Sequence, residues 1–126
     1  MTKVLVDTSI WLQHFREGNV DLMQLLECDA VLIHPTVIAE IGCSTLPARA
    51  HTLSDLATLQ VTQQASPAEV MDLIERKNLY GQGYGIIDLT LLASVLITPG
   101  SELWTMDQQL SSISEQFGVR YYPKLH

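Results

Sequence analysis

Short apolar runs alternate with amphipathic stretches along this chain of 126 residues. Thr2 to Val6 is a compact apolar run that predicts a short buried strand. Thr8 to Arg16 follows as a helix, with Gly18-Asn19 as its stop. Val20 to Cys28 is a second amphipathic helix, because Leu22, Leu25 and Leu26 fall at helical spacing. Ala30 to Ile33 is a strand broken by His34-Pro35, and Pro35 suits the first turn of a helix running to about Ser44. Pro47 opens a further helix with Leu53, Leu56 and Ala57 on one face. Ser66-Pro67 starts another, to about Asn78, with Glu69 placed three residues on as in a capping box. Gly81, Gly83 and Gly85 make a tightly turned loop or hinge before an almost wholly apolar helix, Ile86 to Ile97, which Pro99-Gly100 stops. Leu103 to Thr105 is a strand, Asp107 to Phe117 a helix ended by Gly118, and Val119 to Tyr122 a last short strand.

Strands alternating with helices predict an α/β domain over residues 1–126, with a short parallel sheet flanked by helices. In such sheets the active crevice lies beyond the carboxyl ends of the strands. Two acids stand there: Asp7 directly after Val4-Leu5-Val6, and Asp107 just after Leu103-Trp104-Thr105-Met106. Either carboxylate also suits a helix N-cap, and the two roles are compatible because a capping carboxylate keeps lone pairs for a cation. Glu40 has the apolar neighbours Val37 and Cys43 at three residues either way, so it is either a site acid or an exposed acid at the edge of an apolar stripe. Asp88 opens a helix apolar on nearly all sides. An unpaired carboxylate buried there costs several kcal/mol, so Asp88 either meets a cation or caps the helix at an exposed end.

Composition changes this picture little. The chain is 47% apolar and 17% charged, which suits one packed core, and no apolar run is long enough to span a bilayer. The start, Met1-Thr2-Lys3-Val4, lacks the apolar stretch of a secretory signal, so a cytoplasmic location is expected. Cys28 and Cys43 match no zinc or redox spacing and are expected to be buried, reduced thiols. His14, His34, His51 and His126 are scattered, without an H-x-x-x-H pair. An oxygen-only donor set selects magnesium or manganese over zinc. No nucleophile elbow, Cys–His arrangement or phosphate-binding P-loop competes with the acids. A phosphate-accepting receiver domain would need an adjacent acid pair after the first strand and a late lysine, and this chain has neither. The net charge of −7 argues against a polyphosphate partner, less strongly if bound divalent ions offset the acids.

At this point the sequence resembles the PIN-domain nucleases, and more closely the VapC toxins of bacterial toxin–antitoxin pairs. Four segments carry the likeness: Val4 to Trp11, His34 to Cys43, Gly83 to Ser94 and Leu103 to Leu110. The resemblance implies a PIN-like three-layer α/β/α sandwich and a divalent-metal site. It also implies endonucleolytic cleavage of structured RNA, a homodimer, and a VapB-like antitoxin that silences the site. Carried over, Asp7, Glu40, Asp88 and Asp107 are the catalytic acids, with Asp7, Asp88 and Asp107 as ligands of Mg2+ or Mn2+. Thr8, Ser9 and Thr105 take supporting positions, and Arg16, with Arg49, is a candidate for phosphate contacts. Met106, Gln108, Gln82 and Thr90 stand where similar toxins often carry basic residues or histidine. That thinning of positive charge motivates the alternative of a weakly active or inactive PIN-fold binding module acting through its protein partner.

Overall fold

The computed structural model describes residues 2–124. His126 therefore lies outside the described residues. The strands are β1 (Lys3–Val6), β2 (Val31–Ile33), β3 (Gln60–Val61) and β4 (Ser101–Trp104). The helices are α1 (Thr8–Glu17), α2 (Val20–Glu27), α3 (Pro35–Gly42), α4 (Arg49–Leu56), α5 (Pro67–Lys77), α6 (Ile86–Leu96) and α7 (Gln108–Gln116). Among the described residues the sheet has four strands in the order β3-β2-β1-β4, all parallel. The fold is an α/β sandwich of the expected kind.

The winding places the crevice. From β1 the chain steps outward to β2 and then β3, then crosses back over both to β4 on the far side of β1. Right-handed crossovers put the helices of the outward steps on one face and those of the return on the other. The contacts agree: α1 packs on α3 and α3 on α4, whereas α5 and α7 pack on α6, which lies against β4. The direction of winding therefore reverses between β1 and β4. That is where a crevice opens beyond the strands' carboxyl ends.

Both inner strands are buried on both sides: Val4, Leu5, Val6, Val31, Leu32 and Ile33 all lie in the core. This is what a central parallel strand between two helical layers requires. α6 buries Leu89 and the whole run from Leu91 to Val95, as its uninterrupted apolar sequence predicts. Ser66 and Glu69 form the expected capping box at the start of α5.

Several expectations are corrected. Cys28 and Cys43 are exposed free thiols, because each sits at the C-cap of its helix and is turned off the apolar face. α4 begins at Arg49 rather than Pro47, after Ala48 adopts a left-handed conformation. β3 was not expected at all. The segment Val119 to Tyr122 forms a single bridge, Arg120 to Leu103, rather than a strand.

His34 carries the join between β2 and α3. Its Nδ1 accepts from the Thr36 backbone N–H at 3.0 Å, capping α3, so the ring proton sits on Nε2. Burial pushes the His34 pKa below its ordinary value of 6.5. The unfolded chain therefore takes up the proton first. The contribution of neutral His34 to stability is whole above pH 6.5 and is lost as pH falls below it. Denaturant titrations between pH 8 and 5 should show this loss, roughly the 1 kcal/mol of a helix cap. His34→Asn, which caps without titrating, should remove that part of the pH dependence; an unchanged profile would count against the assignment.

Candidate active site

The register of β1 on β4 pairs Val6 with Trp104, so the next residues, Asp7 and Thr105, emerge side by side. Asp7 N donates to Trp104 O at 2.9 Å, continuing the ladder to the crevice. The Asp7 carboxylate is then fixed by three donors. Its Oδ1 accepts from Thr8 N at 2.7 Å, and its Oδ2 accepts from Thr105 Oγ1 at 2.7 Å and Ser9 Oγ at 3.1 Å. Asp7 is nearly buried, at 7% exposure.

The two hydroxyls that hold Asp7 also hold the loop bearing Asp107. Thr105 Oγ1 accepts from Asp107 N at 3.1 Å, and Ser9 Oγ accepts from Met106 N at 3.1 Å. Asp107 caps α7 through Oδ1, which accepts from Leu110 N at 2.8 Å. Glu40 comes from the other face. The packing of α1 on α3 brings the first residue of α1 to it, and Thr8 Oγ1 donates to Glu40 Oε1 at 2.7 Å. Thr8, Ser9 and Thr105 are thus each bonded to an acid of the set.

Asp88 is not an N-cap. Gly85 occupies that position, with extended backbone and no side-chain cap bond, and Asp88 sits one turn in. Its side chain takes no hydrogen bond among the described residues. Its pKa is pushed up to about 6, first by burial and then by the negative charges of Asp7, Asp107 and Glu40. Asp88 therefore feels the other three carboxylates across the crevice. Among the described residues none of the four has an ion-pair partner; the salt bridges are His51–Asp55, Arg76–Asp72 and Arg120–Glu115. No three of them stand close enough to grip an ion as a closed cage among the described residues. The donor chemistry nonetheless fits a hard divalent cation: oxygen atoms alone, with uncompensated negative charge.

Other expectations land elsewhere. Arg16 is in the last turn of α1, exposed, and bonded to none of the acids among the described residues. Arg49 donates to Ser44 O at 3.3 Å, away from the crevice. Trp11 and Trp104 are core residues, and Tyr84 packs against the core, so none offers a free stacking face. One tie had no signal in the sequence: Gln109 Nε2 donates to Gln82 O at 2.8 Å, strapping the glycine loop before α6 to the first turn of α7.

The raised pKa of Asp88 has a sign. A folded-state pKa of about 6 against 3.8 means the fold prefers the protonated form. The penalty is absent below pH 3.8 and complete above about pH 6. Asp88→Asn should therefore stabilise the metal-free chain at pH 8 by on the order of 1–2 kcal/mol, discounted for partial solvent screening. Denaturant titrations should show the gain closing by pH 4. A variant less stable than the parent at pH 8 would refute the account.

No family model matches the chain. Two curated relatives do: Ribonuclease VapC32 of Mycobacterium tuberculosis strain CDC 1551 and the same protein of strain H37Rv. Each is 37% identical to this chain over 116 residues, covering 92% of this chain and 94% of the relative. Likeness at that level along nearly the whole of both sequences leaves no room for a shared motif in an unrelated fold. The chain belongs to the VapC family of PIN-domain ribonucleases.

Proposed function

We propose that this chain is a toxin-type endoribonuclease that hydrolyses phosphodiester bonds of structured RNA with a divalent metal. The carrying observation is the set of four carboxylates at the switch point of the sheet, without an ion-pair partner among the described residues. In this reading Asp7, Asp88 and Asp107 would hold Mg2+ or Mn2+, and the bound ion would polarise the scissile phosphate and lower the pKa of a water. Thr105 and Ser9 fix the direction of the Asp7 carboxylate. Thr8 holds one oxygen of Glu40 and leaves the other to accept a proton from the attacking water. The raised pKa of Asp88 marks it as the acid whose ionisation depends most on an added cation.

The partners follow from the same charge. A VapB-like antitoxin that presents an arginine or lysine to Asp7 and Asp88 would silence the site by taking the cation's place. Assembly as a homodimer in the cytoplasm fits the family. Among the described residues no helix is long and apolar enough to cross a membrane.

The test is cleavage of total RNA with manganese. Wild-type protein should cut, and chelator should stop it. Asp7→Asn should lower the rate by at least about a hundredfold, and Thr105→Val by about 10–100-fold, as expected for a residue that orients a ligand. Undiminished cutting by Asp7→Asn would defeat the assignment. Binding of the antitoxin without cleavage under any metal condition would favour a binding module instead.

A further inference from the structure

Beside the acids, on the outer side of β4, a notch of about 300 Å3 is lined by Thr105, Met106, Gln108, Ser111, Ser112 and Arg120. It adjoins the crevice directly, because Thr105 belongs to both. Arg120 is held in place by backbone. Leu103 N donates to Val119 O at 2.7 Å and Tyr121 N donates to Leu103 O at 2.9 Å, docking the segment along the free edge of β4. The guanidinium meets Glu115 Oε2 end-on, at 3.5 Å from Nη1. Its contacts with Glu115 and the Tyr122 hydroxyl still leave some of its five N–H donors unused. Its carbon lies 4.5 Å from the centroid of the Tyr122 ring. Tyr122 is 56% exposed, and its hydroxyl donates to Glu115 Oε1.

A cation and the Ser112 hydroxyl in the notch, with the exposed Tyr122 ring beside it against Arg120, are groups that a single-stranded nucleotide can use. Phosphate goes to guanidinium and hydroxyl, and a base stacks on a ring. The position matters as much as the chemistry. Met106 and Gln108 bring no positive charge beside Asp107, and the chain carries −7 overall. A strand reaching the acids needs a cation on this side to hold its neighbouring phosphate.

We infer that this notch is a subsite for the nucleotide adjoining the one whose phosphate is cut, with Arg120 binding its phosphate and Tyr122 its base. The inference rests on the ribonuclease reading. Arg120 and Tyr122 position the strand and touch no reacting atom. Glu115 opposes them, because it competes with the phosphate for the guanidinium.

The experiment measures binding of a short fluorescent single-stranded RNA to the full chain carrying Asp7→Asn, with magnesium, across a salt series. Adding Arg120→Gln should weaken binding at least about fivefold and make the slope of log K against log salt shallower by about 0.7, one phosphate contact on a single strand. Tyr122→Leu should weaken binding at least about fivefold, with Tyr122→Phe close to the parent. Glu115→Gln should tighten binding, an effect that damage to folding cannot imitate. In cleavage assays without Asp7→Asn, Arg120→Gln should raise KM and leave kcat nearly unchanged. Unaltered affinity and salt slope in both Arg120→Gln and Glu115→Gln, while wild-type protein still cuts RNA, would overturn the subsite alone. Failure of the parent chains to bind or cut any RNA would overturn the ribonuclease reading with it.

Discussion

The arrangement depends on one pairing, β1 against β4 in parallel register. Parallel neighbours lie about 4.8 Å apart, so whatever leaves two paired strands together starts within hydrogen-bond reach. Here the residues that leave together are Asp7 and Thr105, and Thr105 Oγ1 closes the gap at 2.7 Å. A slip of one residue would turn Thr105 to the other face of the sheet. It would also withdraw the hydroxyl that accepts from Asp107 N. The register is secured far from the crevice, by Val4, Leu5, Val6, Leu103 and Trp104, all buried. Ordinary core packing thus fixes the positions of two acids that repel each other.

Keeping carboxylates charged in a partly buried crevice is the chief cost of the site. Hydrogen bonds to the ionised form ease it for Asp7, which has three donors, and for Asp107, which caps α7. Glu40 has the Thr8 hydroxyl. Asp88 has none of these, and it stands on the most apolar helix of the chain. Its pKa of about 6 follows first from burial and then from the charges of Asp7, Asp107 and Glu40. Three acids accept hydrogen bonds, and one is held in place only by the packing of α6 on β4 and α7.

Much of this was legible in the chain because the relevant signals are local. Val4-Leu5-Val6 before Asp7 marks a buried strand and the acid at its end, and the apolar run after Asp88 marks a buried helix. Ser66 and Glu69 announce their own cap. The misreadings share a cause: they concern positions decided by contacts distant in sequence. β3 is two exposed residues, Gln60 and Val61, made a strand only by the neighbouring β2. Cys28 and Cys43 look apolar and buried by neighbourhood, but the last turn of each helix rotates them outward. For Asp88 the structure removes the N-cap alternative, because Gly85 takes that place with an extended backbone. The bonds from Thr8 to Glu40 and from Thr105 to Asp7 span 32 and 98 residues, and no periodicity encodes them.

The balance of charge around the crevice sets what can enter it. The α7 side of the acids offers Met106 and Gln108, both exposed and uncharged. Arg120 reaches the same side only because its segment folds back along the free edge of β4. An acidic protein repels an RNA strand at long range, and added salt screens that repulsion as well as any attraction. In the proposed reading, recognition built on one guanidinium, a ring and bound divalent ions is therefore short-ranged. Single strands and opened loops, whose bases are free to stack, can satisfy it, whereas a continuous duplex hides its bases from Tyr122. In that reading the scarcity of positive charge favours the unpaired segments of a structured RNA over its paired ones.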